Sequence, residues 1–199
     1  MIICESLLFS YGARLQNYNP GEIIFHEGSM AKYYLQIKSG IVKLNNYHEN
    51  GKEFIHGIPF EGHSVAETYS FIDKKYGINA VAVTDCEIIK LENSKFKDLV
   101  LKNPELLFNL YSYTADRMRY KYIISAPLSM MDPLTKLKKL MSHLKNYFGF
   151  EEERFSFLVP YTRQQLAALT GLRIETIIRT IKKMEKQDLV KLDNTRIYY

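Results

Sequence analysis

The stretch from Thr162 to Glu185 restricts the fold of this chain more than any other. Thr162 followed by Gln165 has the spacing of a capping box, in which each side chain satisfies a backbone N–H of the other residue. Leu166 and Leu169 then give the first predicted helix one apolar face. Thr170-Gly171-Leu172 is a tight turn whose glycine tolerates the left-handed backbone. A second helix is predicted from about Ile174, with Ile177, Ile181 and Met184 spaced to face the protein. Two helices across a short glycine-containing turn make a helix-turn-helix.

The opposite face of the second helix carries a different chemistry. Glu175 and Arg179 lie four apart, with Ile174 and Ile178 beside them and Lys182 and Lys183 one turn later. Arginine can bond guanine O6 and N7 together, glutamate can accept from cytosine N4, and isoleucine can touch a thymine methyl. The lysines suit phosphates, which add affinity without sequence information. The plainer alternative for Glu175 and Arg179 is a surface ion pair worth a few tenths of a kcal/mol. Leu189 to Leu192 and Arg196 to Tyr199, separated by Asp193-Asn194, read as a small hairpin, the wing.

Charge follows the same division. Residues 1–131 hold 14 Lys+Arg and 14 Asp+Glu, whereas residues 132–199 hold 13 and 8. The net charge of +5 therefore sits in the last third. A neutral body with a basic end fits a polyanionic partner for that end.

Upstream, about Leu15 to Leu91 is strand-like. Short β-branched and aromatic runs occur at Glu22 to Phe25, Tyr33 to Ile37, Ile41 to Leu44, Phe54 to Ile58, Ala80 to Val83 and Glu87 to Leu91. Asn19-Pro20-Gly21, Glu27-Gly28-Ser29, Ser39-Gly40 and Glu49-Asn50-Gly51-Lys52 punctuate them as turns. Many short strands with regular turns indicate an antiparallel barrel or sandwich. Asn93-Ser94 can cap a short helix, and Asn103-Pro104-Glu105 starts a longer one that ends by Ala126-Pro127. The longer helix needs a partner for its apolar residues: its own barrel, a second subunit, or both. A further helix follows Asp132-Pro133, with Leu134, Leu137, Leu140, Met141 and Leu144 on one face. After it come Gly149, a Glu151-Glu152-Glu153 turn and a short strand from Phe155 to Val159.

Several classes are disfavoured. No apolar run approaches the roughly 18 residues of a membrane helix, and Met1 to Phe9 lacks the basic region and cleavage site of a secretory signal. Two cysteines, Cys4 and Cys86, make neither a disulfide framework nor a CxxC knuckle, so a reducing cytoplasm is the expected setting. There is no P-loop, GxSxG or HExxH motif, and no enzyme activity is expected.

These residues together resemble the cyclic-AMP receptor / fumarate-nitrate regulator (CRP/FNR) family over nearly the whole chain. The matching residues are Pro20-Gly21-Glu22, Phe25-His26-Glu27-Gly28, Tyr33 to Ile37, Lys38-Ser39-Gly40, Asn50-Gly51-Lys52-Glu53, Gly62, Glu67, Thr84 to Ile88, Asn103-Pro104, and Asp132 at the family's hinge. Thr162 to Ala167 and Glu175-Thr176 with Arg179 match its DNA-reading element. The resemblance implies an α+β protein in three parts. Residues 1–103 would form a cyclic-nucleotide-binding-like antiparallel β-barrel of the double-stranded β-helix (jelly-roll) kind. Residues 104–131 would form a long dimerisation helix and hinge, and residues 132–199 a winged helix-turn-helix. It further implies a homodimer joined through Leu107, Leu110, Thr114, Met118 and Lys121, binding a palindromic double-stranded operator, with RNA polymerase a further candidate partner. Arg163 and Gln164 would lie near phosphate, while Ile174, Glu175, Thr176, Ile178, Arg179, Lys182 and Lys183 complete the DNA surface.

The implied effector pocket is made by Ala66, Glu67, Tyr76, Gly77, Lys121 and Tyr122. Cyclic-AMP-binding members use a Gly-Glu pair near the ribose and an Arg-Ser/Thr pair on the phosphate. Here these align with Ala66-Glu67 and about Tyr76-Gly77, and no arginine lies between Tyr69 and Val83. A cyclic phosphate without that arginine loses its charge-assisted bonds, which argues against cyclic AMP and leaves the effector unassigned. An iron-sulfur centre would need about four cysteines. His26, His48, His56 and His63 are isolated, a pattern that speaks against haem, and no metal site is expected. The competing reading is a cyclic-nucleotide-binding-like module that regulates a partner other than DNA.

Overall fold

The computed structural model describes residues 1–49, 51, 53–72, 74–125, 132–147 and 153–199. Asn50 and Lys52 of the predicted hairpin turn, the helix end at Ala126-Pro127, Gly149 and Glu151-Glu152 lie outside the described residues. The chain divides into two compact units, Met1–Arg117 and Met118–Tyr199.

The first unit opens with a short helix, α1 (Glu5–Ser10). Strands β1 (Arg14–Tyr18), β2 (Ile23–Phe25), β3 (Tyr33–Ser39), β4 (Val42–Tyr47), β5 (Glu53–Gly57), β6 (Ser64–Val65), β7 (Asn79–Ala82) and β8 (Cys86–Glu92) follow, with a 3-10 turn at Glu67–Ser70. They form two four-stranded antiparallel sheets, ordered β1-β8-β3-β6 and β2-β7-β4-β5. Strand periodicity explains the core. Leu35, Ile37 and Ile88 point between the sheets onto Val42, Leu44, Ala80 and Ala82. Their neighbours Tyr34, Ile89 and Leu91 point the other way, under helix α2 (Asn93–Lys102) and the start of helix α3 (Pro104–Ser125). β3 and β8 are thus apolar on both faces. Gly40 joins β3 to β4 at φ +95°, where a Cβ would stand 2.3 Å from the Asp85 carbonyl oxygen.

The second unit contains α4 (Pro133–Tyr147), α5 (Arg163–Thr170), α6 (Ile174–Lys186), β9 (Lys191–Asp193) and β10 (Arg196–Tyr198). The Asp132 carboxylate starts α4 by accepting from the Leu134 N–H at 3.0 Å and the Thr135 hydroxyl at 2.6 Å. Those bonds hold its pKa below the usual carboxylate range. Leu137, Leu140, Met141 and Leu144 are buried, as are Leu166, Ile177, Ile181, Met184 and Ile197. β9 and β10 pair around Asn194-Thr195 as the expected wing, Asn194 taking φ +53°.

Two local expectations are corrected. The amide of Asn93 does not cap α2; it donates to the Ala31 carbonyl at 2.8 Å and ties the helix to the loop before β3. The strand expected from Phe155 to Val159 is shortened: Phe155 turns the chain at φ +59°, and pairing with the end of the chain begins at Phe157, which exchanges backbone bonds with Tyr199 while Val159 N–H donates to the Ile197 carbonyl at 2.9 Å.

Candidate nucleic-acid interface

The predicted capping box is present: Gln165 N–H donates to Thr162 Oγ1 at 3.2 Å, and Thr162 N–H to Gln165 Oε1 at 2.8 Å. This fixes the start of α5. Gly171 ends it with φ +68°, so the chain reverses in the space of one turn. Arg173 stands before α6 without a side-chain capping bond.

α6 is divided lengthwise. Ile177, Thr180, Ile181 and Met184 are buried, whereas Ile174, Glu175, Ile178, Arg179, Lys182 and Lys183 are exposed. Glu175, Ile178, Arg179, Lys182, Lys183 and Lys186 line one surface depression. The ion pairs of the described residues do not include one between Glu175 and Arg179, so each is open to a partner. Thr176 stands apart from this group: it is half-buried, and its carbonyl accepts from the Thr180 hydroxyl at 2.7 Å. Gln164 is exposed at the start of α5. Arg163 is half-buried, and its Nη1 donates to the Thr195 carbonyl at 2.9 Å, bracing the wing turn against α5. Lys186, one turn beyond Lys182, is missing from the sequence-derived set although its spacing and charge signal it.

The barrel interior bears on the effector. Glu67 is 3% exposed and already engaged. Its Oε2 accepts from Arg117 Nη1 at 3.0 Å and Ser64 Oγ at 3.3 Å, and its Oε1 from Thr114 Oγ1 at 3.1 Å. Ala66, before it, is held at φ +54°, the left-handed region that favours glycine. The Tyr76 ring lies in the core between the sheets, stacked on Phe25 with centroids 3.7 Å apart and packed on Tyr69 at 5.2 Å. Burial, with Tyr69 close by, pushes its hydroxyl pKa up to about 12. Gly77 N–H donates to Tyr69 Oη at 3.0 Å, and the Gly77 carbonyl accepts from Asn46 Nδ2 at 2.9 Å. Ala66, Glu67, Tyr76 and Gly77 thus all belong to the barrel, whereas Lys121 and Tyr122 are exposed on the second half of α3. The Tyr76 and Phe25 rings thus lie in the interior beside Glu67, whose carboxylate is bonded to Arg117, Ser64 and Thr114. Arg117, Phe25 and Tyr69 are absent from the pocket expected from the sequence; an arginine on the barrel-facing side of α3 is the signal for the first of them.

The residues expected to join a dimer separate into two groups. Leu110 is 2% exposed in the barrel's own core, and Thr114 is bonded to Glu67, so both are turned to the barrel. Leu107, Phe108, Tyr111, Met118 and Tyr122 are exposed apolar side chains of α3, and Lys121 is exposed as well. Among the described residues, no three His, Cys, Asp or Glu side chains are grouped to hold a metal ion. No helix among the described residues is long and apolar enough to cross a membrane.

An antiparallel double-sheet barrel carrying a buried glutamate, followed by a winged helix-turn-helix with a basic second helix, defines a class of DNA-binding regulators. Residues 15–103 match the cyclic nucleotide-binding domain family, and residues 136–198 match the Crp-like helix-turn-helix domain family. The cAMP-activated global transcriptional regulator CRP of Salmonella typhimurium is 25% identical over 177 residues, covering 88% of this chain and 84% of that protein. In fold, the chain is similar to the c-di-GMP responsive global regulator CLP of Xanthomonas campestris, with a TM-score of 0.76 and 19% identity over 96% of this chain and 95% of that one. It is likewise similar to a CooA mutant from Carboxydothermus hydrogenoformans, with a TM-score of 0.79 and 17% identity over 97% of this chain and 84% of that one. The chain belongs to the CRP/FNR family of transcriptional regulators and carries that family's helix-turn-helix DNA-binding domain.

Proposed function

We propose that this protein is a homodimeric, sequence-specific DNA-binding regulator that recognises an inverted-repeat operator without cyclic AMP. The exposed face of α6 carries the reading: Glu175 and Arg179 are unpaired with each other and surrounded by Lys182, Lys183 and Lys186. Arg179 bonds a guanine edge, Glu175 accepts from a cytosine amino group, and the lysines lie on phosphates. Gln164 adds a phosphate contact from the start of α5. Arg163 acts chiefly by holding the wing. Exposed Leu107, Phe108 and Tyr111 support a second copy of the chain as partner of α3, since a two-fold dimer sets two recognition helices about one DNA turn apart.

The first half of α3 is fastened to the barrel by Leu106 and Leu110 in its core and by the bonds of Thr114 and Arg117 to Glu67. Changes in the barrel therefore reach the dimer helix through Glu67. Tyr76, stacked on Phe25 and packed on Tyr69, occupies the interior, which supports a barrel that needs no nucleotide to be well packed. Selection of bound duplexes from a random library by the purified chain, with and without cyclic AMP and cyclic GMP, tests this. An inverted repeat enriched equally in all three conditions is expected. Enrichment only with a nucleotide refutes the nucleotide-independent part, and no enrichment in any condition refutes the DNA reading.

A further inference from the structure

α6 carries four isoleucines in two pairs, each pair one helical turn apart. Ile177 and Ile181 are 0% and 1% exposed and belong to the core. Ile174 and Ile178 are 39% and 38% exposed, and Ile178 shares its depression with Arg179, Lys182, Lys183 and Lys186. A β-branched apolar side chain brings nothing to a solvated helix face. It lowers helix propensity relative to lysine or glutamine and leaves apolar surface in water. Single exposed apolar residues need no explanation. Ile178 lies among four cations and Ile174 stands one turn before it on the same helix face, so both face whatever partner the cations face.

That partner is a polyanion. The major-groove edge of DNA presents one apolar group to such a surface, the C5-methyl of thymine. We propose that Ile174 and Ile178 are specificity-determining residues that read thymine methyls beside the guanine bonded by Arg179. This rests on the DNA-binding reading above and adds to it the base class that the apolar positions select. The half-site then requires thymine next to that guanine, and discrimination there comes from the presence of a methyl rather than from a hydrogen bond.

Replacing thymine by uracil removes that methyl and leaves the hydrogen-bonding edge unchanged. In the selected operator each thymine is replaced in turn, symmetrically in both half-sites, and binding by the full chain is measured. Losing one buried methyl is expected to weaken binding about fourfold per half-site and about fifteenfold for the symmetric pair. The loss should appear at one or two thymines flanking the Arg179-dependent guanine. I178A and I174A should each abolish the uracil effect at one of these positions, with thermal unfolding unchanged because both side chains are exposed. Uracil tolerated at every position, in an operator still weakened by R179A, overturns the proposal and leaves the DNA reading intact. A uracil effect that persists in both variants also overturns it. Failure of the chain to distinguish any duplex removes the DNA reading itself, and this proposal with it.

Discussion

Tyr76→Ala is the sharpest perturbation of the barrel. The Tyr76 ring is 5% exposed, stacks on Phe25 at 3.7 Å and touches Tyr69 at 5.2 Å. Truncating a buried aromatic side chain removes its transfer free energy and leaves a cavity, together about 3–5 kcal/mol. The stack with Phe25 adds about 0.5–1.5 kcal/mol that the area does not count. The walls that must collapse are the two sheets, whose Ala80, Ala82 and Val42 are anchored by ladder hydrogen bonds, so relaxation is small. The unfolding midpoint of the barrel should fall by about 14–26 °C, at roughly 4 °C per kcal/mol for a unit of this size. Tyr76→Phe keeps ring, stack and volume and should fall by less than a third of that. Differential scanning calorimetry of both variants, following the barrel transition separately from that of the winged helix, reads the difference. A Tyr76→Ala variant that melts within a few degrees of the parent, or a Tyr76→Phe variant equally impaired, refutes the claim that the ring supports the interior.

His63 supplies a pH prediction. Burial, the nearby Arg117 charge and the chain N-terminus lower its pKa from 6.5 to about 4. In the folded state it stays neutral where the unfolded chain takes up a proton, so stability is full above about pH 6.5 and is lost as pH falls toward 4. The loss is about 2–3 kcal/mol over that window, and His63→Gln should flatten this part of a pH series of urea melts; an unchanged slope contradicts it. Gly40→Ala places a Cβ 2.3 Å from the Asp85 carbonyl at φ +95° and should cost more than about 2 kcal/mol by urea denaturation; a neutral result would show that the β3–β4 turn gives way. Tyr111→Glu puts a charge on the exposed apolar side of α3 and should shift sedimentation toward monomer without lowering the barrel's midpoint, whereas an undisturbed dimer would place the interface elsewhere.

The winged helix-turn-helix was legible because its signals are local. The capping box of Thr162 and Gln165, the left-handed Gly171 and the spacing of Ile177, Ile181 and Met184 each occupy a few consecutive residues. Most strands were legible for the same reason, since alternation and glycine turns are read over five residues. α1 has no neighbouring pattern to mark it, and β6, two residues long, is too short to show alternation. The sides of α3 were harder. Leu106, Leu110, Thr114 and Arg117 face the barrel, while Leu107, Phe108 and Tyr111 lie open. A helix with apolar residues on two sides loses the contrast by which an amphipathic face is recognised. The pairing of Tyr76 with Phe25, and of Glu67 with Arg117, joins residues about fifty apart, and only the closed sheets bring them together.

The central claim, sequence-specific DNA binding without a nucleotide, is tested most directly by titrating ligand-free protein against the selected inverted repeat and against a shuffled duplex of equal length and composition, at fixed salt. At least about a thousandfold preference for the inverted repeat is expected, unchanged by added cyclic AMP and reduced by Arg179→Ala. Equal affinity for both duplexes, or a preference that appears only with the nucleotide, would contradict it.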